Sequence, residues 1–234
     1  MSNSSSNQVA AFGKLVGICN DLGASYNPSR VSLKTTALAT LLKQAQQSSE
    51  AVIVAQQNYA LRVNERVESF KGIPKLAARI VRAASASGVS AENLKDISSL
   101  KFMIQKGRVS KRPLLKTVDG EPAKHFSARF DYETRVEFLA RLIQTVSALP
   151  GYAPNETDLK VPSLKTFLAG LRTKNEQVAK AASTLERARR NRRKHLYSST
   201  GIYGIASAVK NYIRSIEGVR SEMSGTVSNL RFTE

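Results

Sequence analysis

Hydrophobic residues return along this chain at helical spacing. Phe12, Leu15, Val16, Cys19 and Leu22 fall on one face of a helix expected over residues 9–22. Gly23 stops it, and Tyr26-Asn27-Pro28 makes a turn. From Ser32 to Phe70 no Pro or Gly interrupts 39 residues, and Gly72 ends the run. Such a helix spans nearly ~60 Å at its usual rise. Its stripe is Leu38, Leu41, Ala45, Val52, Tyr59, Val63, Val67 and Phe70. A second long helix follows Ser163, with the stripe Leu164, Leu168, Leu171, Val178, Ala182 and Leu185, and continues to Tyr197. A shorter helix follows each long one. Ile73, Leu76, Ile80 and Val81 mark the first, and Ile202, Ile205, Val209, Ile213 and Ile216 the second. Pro74 is acceptable in a first turn, where its missing donor is not needed.

The pattern is stated twice. Ile97-Ser98-Ser99-Leu100-Lys101-Phe102 returns as Val227-Ser228-Asn229-Leu230-Arg231-Phe232, and Ser32-Leu33-Lys34-Thr35 as Ser163-Leu164-Lys165-Thr166. Gly72-Ile73 is echoed by Gly201-Ile202, and Gly88-Val89 by Gly218-Val219, at a shift of about 129 to 131 residues. Upstream, the spacing of Leu15, Val16, Cys19 and Leu22 returns in Leu142, Ile143, Val146 and Leu149. Repetition on this scale predicts a tandem duplication of one helical unit. The expected fold is all-α, an antiparallel helical bundle with one long central helix per copy and a pseudo-twofold relation between them.

The expected boundaries are a disordered N-terminus at residues 1–8, a first repeat at 9–102, a basic linker at 103–130 and a second repeat at 131–234. The apolar ends Leu100-Lys101-Phe102 and Leu230-Arg231-Phe232 are expected to pin the end of each copy. The linker contains Gly107, Pro113, Gly120 and Pro122, and Val118-Asp119-Gly120-Glu121 carries a hairpin-turn signal. Thr134 and Glu137 have the spacing of a capping box at the start of the second copy.

Composition adds one extreme. The chain of 234 residues has 36 Lys plus Arg against 18 Asp plus Glu, a net charge of +18. Residues 1–117 carry 17 basic and 6 acidic groups, and residues 118–234 carry 19 and 12, so the excess is spread. Like charge at this density opposes a compact state, and an anionic partner is the simplest reason to tolerate it. Aromatic content is 6 % with no Trp, so the core rests on Leu, Ile, Val and Ala. The single cysteine, Cys19, excludes an internal disulfide and reads as a small core residue. The polar, uncharged opening lacks a secretory signal, and no apolar run reaches membrane-spanning length, so the expected location is the cytoplasm.

Catalytic signatures are absent. His125 and His195 lack metal-ligand spacing, and no glycine-rich phosphate loop, serine elbow or Cys–His pair occurs. Asp131, Glu133 and Glu137 form a carboxylate cluster that ion pairing with arginines explains. The expectation is therefore a non-enzymatic protein with no cofactor, metal or small-molecule substrate. Two basic runs are candidates for phosphate contact. One is Lys101, Lys106, Arg108, Lys111, Arg112 and Lys116, free of acidic residues from Asp96 to Asp119. The other runs from Arg187 to Lys194, with Arg187, Arg190, Arg193 and Lys194 expected to face away from the core. Arg189 and Arg192 continue the apolar stripe, and Arg192 is expected to pair with Glu133 or Glu137. Stacking aromatics are sparse, so little sequence preference is expected.

The second half also resembles a known group. Phe130-Asp131, Arg135-Val136-Glu137-Phe138, Tyr152-Ala153-Pro154-Asn155-Glu156, Ala188-Arg189 with Arg192, Leu196-Tyr197 and Thr200-Gly201-Ile202 are similar to uncharacterised helical proteins of Bacteroidota. The resemblance covers roughly residues 127–234. It implies a bacterial, all-helical protein and transfers no functional residue. Two functions remain open: binding of nucleic acid or another polyanion through the basic surface, or a scaffold that self-assembles or bridges partners through its long helices. Adsorption to a membrane ranks below both, because no helix shows a bulky exposed apolar face.

Overall fold

Every regular element is helical among the described residues of this computed structural model, namely 2–106, 131–216 and 221–232. The eight α-helices are α1 (Ser2–Asp21), α2 (Thr35–Lys71), α3 (Ile73–Ala86), α4 (Ala91–Lys106), α5 (Tyr132–Ala148), α6 (Val161–Tyr197), α7 (Ile202–Ser215) and α8 (Ser221–Asn229). Short 3₁₀ turns occur at Gly23–Ser25, Val31–Leu33 and Thr157–Leu159. No described helix is long and apolar enough to cross a membrane.

The chain forms two compact units. One holds Met1–Ala60 with Ala181–Glu234, the other Leu61–Lys180. In the first, α1 buries Phe12, Leu15 and Cys19 in a core with Leu38, Leu196, Ile205 and Val209, and α1 and α8 both pack on α7. Lys210 on α7 donates to the Leu230 carbonyl and lies 5.3 Å from the Phe232 ring, which secures the segment after α8. Farther along, Val52 and Ala55 of α2 pack with Leu185 of α6. In the second unit α3, α4 and α5 pack together around Ile80, Ile97, Ile104, Leu139 and Leu142. Arg66 lies 4.0 Å over the Tyr132 ring, whose edge meets Phe70.

Each local boundary has a chemical cause. Gly88, at φ +79°, ends α3 in a left-handed turn in which Val89 N–H reaches the Ala84 carbonyl at 3.2 Å and Gly88 N–H the Ser85 carbonyl at 3.3 Å. Asp131 caps α5, its Oδ1 accepting from Thr134 N–H at 2.7 Å. That bond holds the Asp131 carboxyl below its ordinary range.

Four details differ from the sequence expectation. The cap is Asp131 rather than Thr134, because Thr134 is already inside the helix. Helix α1 begins at Ser2, and burial of Ser5 and Gln8 carries it through a stretch whose polar composition reads as disorder. Leu100 lies within α4, whose buried positions are Ile97 and Ile104, and Phe102 is exposed. Leu33 and Leu164 are not equivalent: Leu33 lies in the Val31–Leu33 turn, whereas Leu164 lies in the first turn of α6.

Candidate nucleic-acid interface

The last turns of α6 are built from strong helix formers, Ala, Arg, Lys and Leu, so the helix persists although its outer face is nearly all charged. Ala181, Leu185 and Leu196 are buried there, with Ala188 and Arg192 half-buried between them. Arg187, Arg190 and Lys194 follow at i, i+3 and i+7 on the opposite side, with Arg193 beside them, and all four are exposed. None of the four has an ion pair among the described residues. They occupy about 10 Å of helix axis. Duplex DNA presents one charge per ~1.7 Å of its own axis, a density that such a row can neutralise in part.

Arg189 is a correction. It is exposed, and its guanidinium meets Glu186 Oε1 at 2.6 Å. The buried stripe passes through Ala188 and Arg192, leaving Arg189 one residue, or ~100°, aside. Arg192 makes no ion pair among the described residues, and neither do Glu133 and Glu137, its expected partners. Among the described residues the carboxylates that pair are Glu65 with Arg62 and Lys174, Glu68 with Lys71, Asp158 with Arg79, and Glu186 with Arg189.

Of the other basic run, Lys101 is half-buried on α4 and Lys106 is the last residue of that helix. Arg108, Lys111, Arg112 and Lys116 lie outside the described residues, as do the expected hairpin at 118–121 and His125. His195 is half-buried near the end of α6. No group of three or more His, Cys, Asp or Glu is placed to hold a metal ion among the described residues.

Two features escaped the sequence reading. A cleft of about 620 Å³ opens beside α3, lined by Arg79, Arg82, Ala83 and the 153–156 loop among others. A smaller hollow of about 280 Å³ is lined by Glu133, Glu137, Arg172, Asn175 and Glu176. Asn175 is 5 % exposed, and its amide has no partner among the described residues. Neither feature follows from periodicity, because each joins residues far apart in the sequence: α3 with the 151–156 loop in the first, and α5 with α6 in the second.

The chain matches no protein-family model, no curated protein and no solved structure.

Proposed function

We propose that this is a non-enzymatic helical protein that binds nucleic acid through its phosphates, with little sequence preference. The observation that carries the reading is the row Arg187, Arg190, Arg193 and Lys194, exposed and without ion pairs among the described residues. Phosphate contact needs closely spaced cations and releases counterions, so affinity falls steeply with salt. No aromatic residue lies between Arg187 and Lys194 to stack on bases, which supports backbone contact over base recognition. The test is binding to a labelled duplex DNA and a single-stranded RNA across a salt series. Steep salt dependence with little sequence preference is expected, and absence of binding at low salt refutes the reading.

We also propose that the chain is an internal duplication. The long helices α2 and α6 each have 37 residues, and α3 and α7 each have 14. Tyr26 donates to the Leu33 carbonyl at 2.8 Å, and Tyr152 to the Leu159 carbonyl at 2.9 Å. On this reading each compact unit joins the front half of one copy to the back half of the other. Rising positions on α2 against falling positions on α6 support the antiparallel course expected for these helices: Val52 and Ala55 pack with Leu185, and Glu65 pairs with Lys174.

A scaffold role is the second reading. It is favoured by Ile53 and Val54, 51 % and 56 % exposed on α2, and by an apolar groove of about 470 Å³ that includes Val54 and Ala51. Concentration-dependent self-association without nucleic acid, followed by light scattering, supports it; a monomer at all concentrations refutes self-assembly.

A further inference from the structure

In the first unit a tyrosine covers another tyrosine. The Tyr212 ring of α7 stands edge-on to Tyr26, with centroids 5.3 Å apart and planes at 87°. Its hydroxyl accepts a hydrogen bond from Asn27 N–H at 3.2 Å. In the second unit the same framework recurs. Tyr152 and Pro154 stand where Tyr26 and Pro28 do, and the turn Thr157–Leu159 packs on α3 as Val31–Leu33 packs on α7. The buried residues Ile73, Ala77, Ile80 and Ala84 of α3 match Ile202, Ala206, Val209 and Ile213 of α7 at one constant offset. At that offset Tyr212 corresponds to Ala83.

The covering side chain is therefore truncated to a methyl group in the second unit, and the 620 Å³ cleft opens there, with Ala83, Ala153 and Leu159 in its lining. Ala153 holds the place of Asn27, and its N–H has no protein partner among the described residues. The rim differs too. Arg79 is held by Asp158, with Nη2 and Oδ1 3.1 Å apart. Arg82 is exposed and without an ion pair among the described residues, while α7 has the uncharged Ala208 and Asn211 at these two places. Glu156 at the same rim is exposed and has no ion pair among the described residues.

We infer that the cleft between α3 and the 151–156 loop is a binding site for a small phenol. Its ring takes the place that Tyr212 fills in the other unit, and its hydroxyl accepts from Ala153 N–H. The Arg82 guanidinium is available to stack on the outer face of the ring, an arrangement that arginine favours through its planar, delocalised charge. Ala83, Ala153, Pro154 and Leu159 supply the apolar contacts around the ring. The inference rests on the proposed duplication, which supplies the correspondence of Ala83 with Tyr212.

The test is amide-resolved NMR titration of the whole chain with p-cresol, toluene and 4-hydroxyphenylacetate. We expect saturable shifts at Ala153 with p-cresol, and affinity at least tenfold weaker for toluene, which lacks the hydroxyl. 4-Hydroxyphenylacetate should shift the same Ala153 amide, and saturable shifts confined to residues outside the cleft overturn the ring site. Ala83→Tyr should fill the cleft from within, abolish the shifts and leave the melting temperature unchanged or raised. Tyr212→Ala should open a matching cleft and bring p-cresol shifts to Asn27. Absence of saturable shifts at Ala153 in the native chain overturns the site. If Tyr212→Ala nevertheless gains shifts at Asn27, the correspondence stands and the site alone fails. A markedly lower melting temperature for Ala83→Tyr overturns the correspondence, and the inference with it.

Discussion

The Tyr26 hydroxyl donates to the Leu33 carbonyl across seven residues, closing the loop between α1 and α2 with a buried hydrogen bond of 2.8 Å. The chain makes the same closure between Tyr152 and Leu159 at 2.9 Å. Removing one hydroxyl leaves a buried carbonyl without its donor, and such losses cost about 1–3 kcal/mol. Tyr26→Phe and Tyr152→Phe should each lower stability by an amount in that range, read from urea denaturation midpoints. A loss at only one of them contradicts equivalent roles.

Glu65 accepts from Lys174 Nζ at 2.9 Å and from Arg62 Nη1 at 3.1 Å. The Lys174 and Arg62 bonds hold its carboxyl below the ordinary value of 4.5. A depressed carboxyl stabilises the fold fully above that ordinary value, where it is ionised folded and unfolded, and the contribution disappears as pH falls through the lower native value. Glu65→Gln should therefore reduce stability at pH 7 and make the acid branch of the stability profile shallower. Parallel profiles for the two proteins contradict the ion-pair role.

Cys19 is completely buried, and burial pushes its thiol up to about 11. The thiolate is the nucleophile, and two pKa units reduce its population about 100-fold, before any loss of access. Alkylation by iodoacetamide at pH 8 should be at least that much slower in the native chain than in urea. Rapid native labelling contradicts the packing of α1.

The connection after α2 is Gly72 alone, whereas Ser198-Ser199-Thr200-Gly201 joins α6 to α7. The longer turn folds back so closely that a Cβ on Gly204 would collide with the Ser199 carbonyl, which is backbone and cannot swing aside. Gly204→Ala should cost about 1–3 kcal/mol. Gly170→Ala, in the interior of α6 with open space around the new methyl, should instead gain roughly 0.5–1 kcal/mol. Thermal melts of the two variants should move in opposite directions.

The long helices are legible because their stripes repeat for about nine turns from Leu38 to Phe70 and about six from Leu164 to Leu185, and Phe12, Leu15 and Cys19 mark α1 by spacing alone. The start of α1 was not legible: Ser5 and Gln8 are polar, and only packing against the rest of the unit buries them. The connections after α2 and α6 differ in length, and on the proposed duplication this changes the repeat register partway through each copy. On that reading Leu33 corresponds to Leu159, which accepts from Tyr152 as Leu33 does from Tyr26, and not to Leu164. In the candidate interface, helical geometry placed Arg187, Arg190, Arg193 and Lys194 outward. It misplaced Arg189, where a drift of one position exchanges a buried side for an exposed one. The cleft beside α3 is not legible because it brings side chains of α3 against the 151–156 loop, a meeting no periodicity announces.

The most direct test of the central claim changes the α6 cations alone. Arg187, Arg190, Arg193 and Lys194 are replaced together by Gln, which keeps helix propensity and length. Duplex DNA affinity is then measured against salt for both proteins, with circular dichroism confirming equal folding. Each phosphate contact contributes about 0.9 to the slope of log affinity on log salt, so the variant should show a slope shallower by about 3 to 4 and much weaker binding at low salt. An unchanged slope and affinity would contradict phosphate binding by this row.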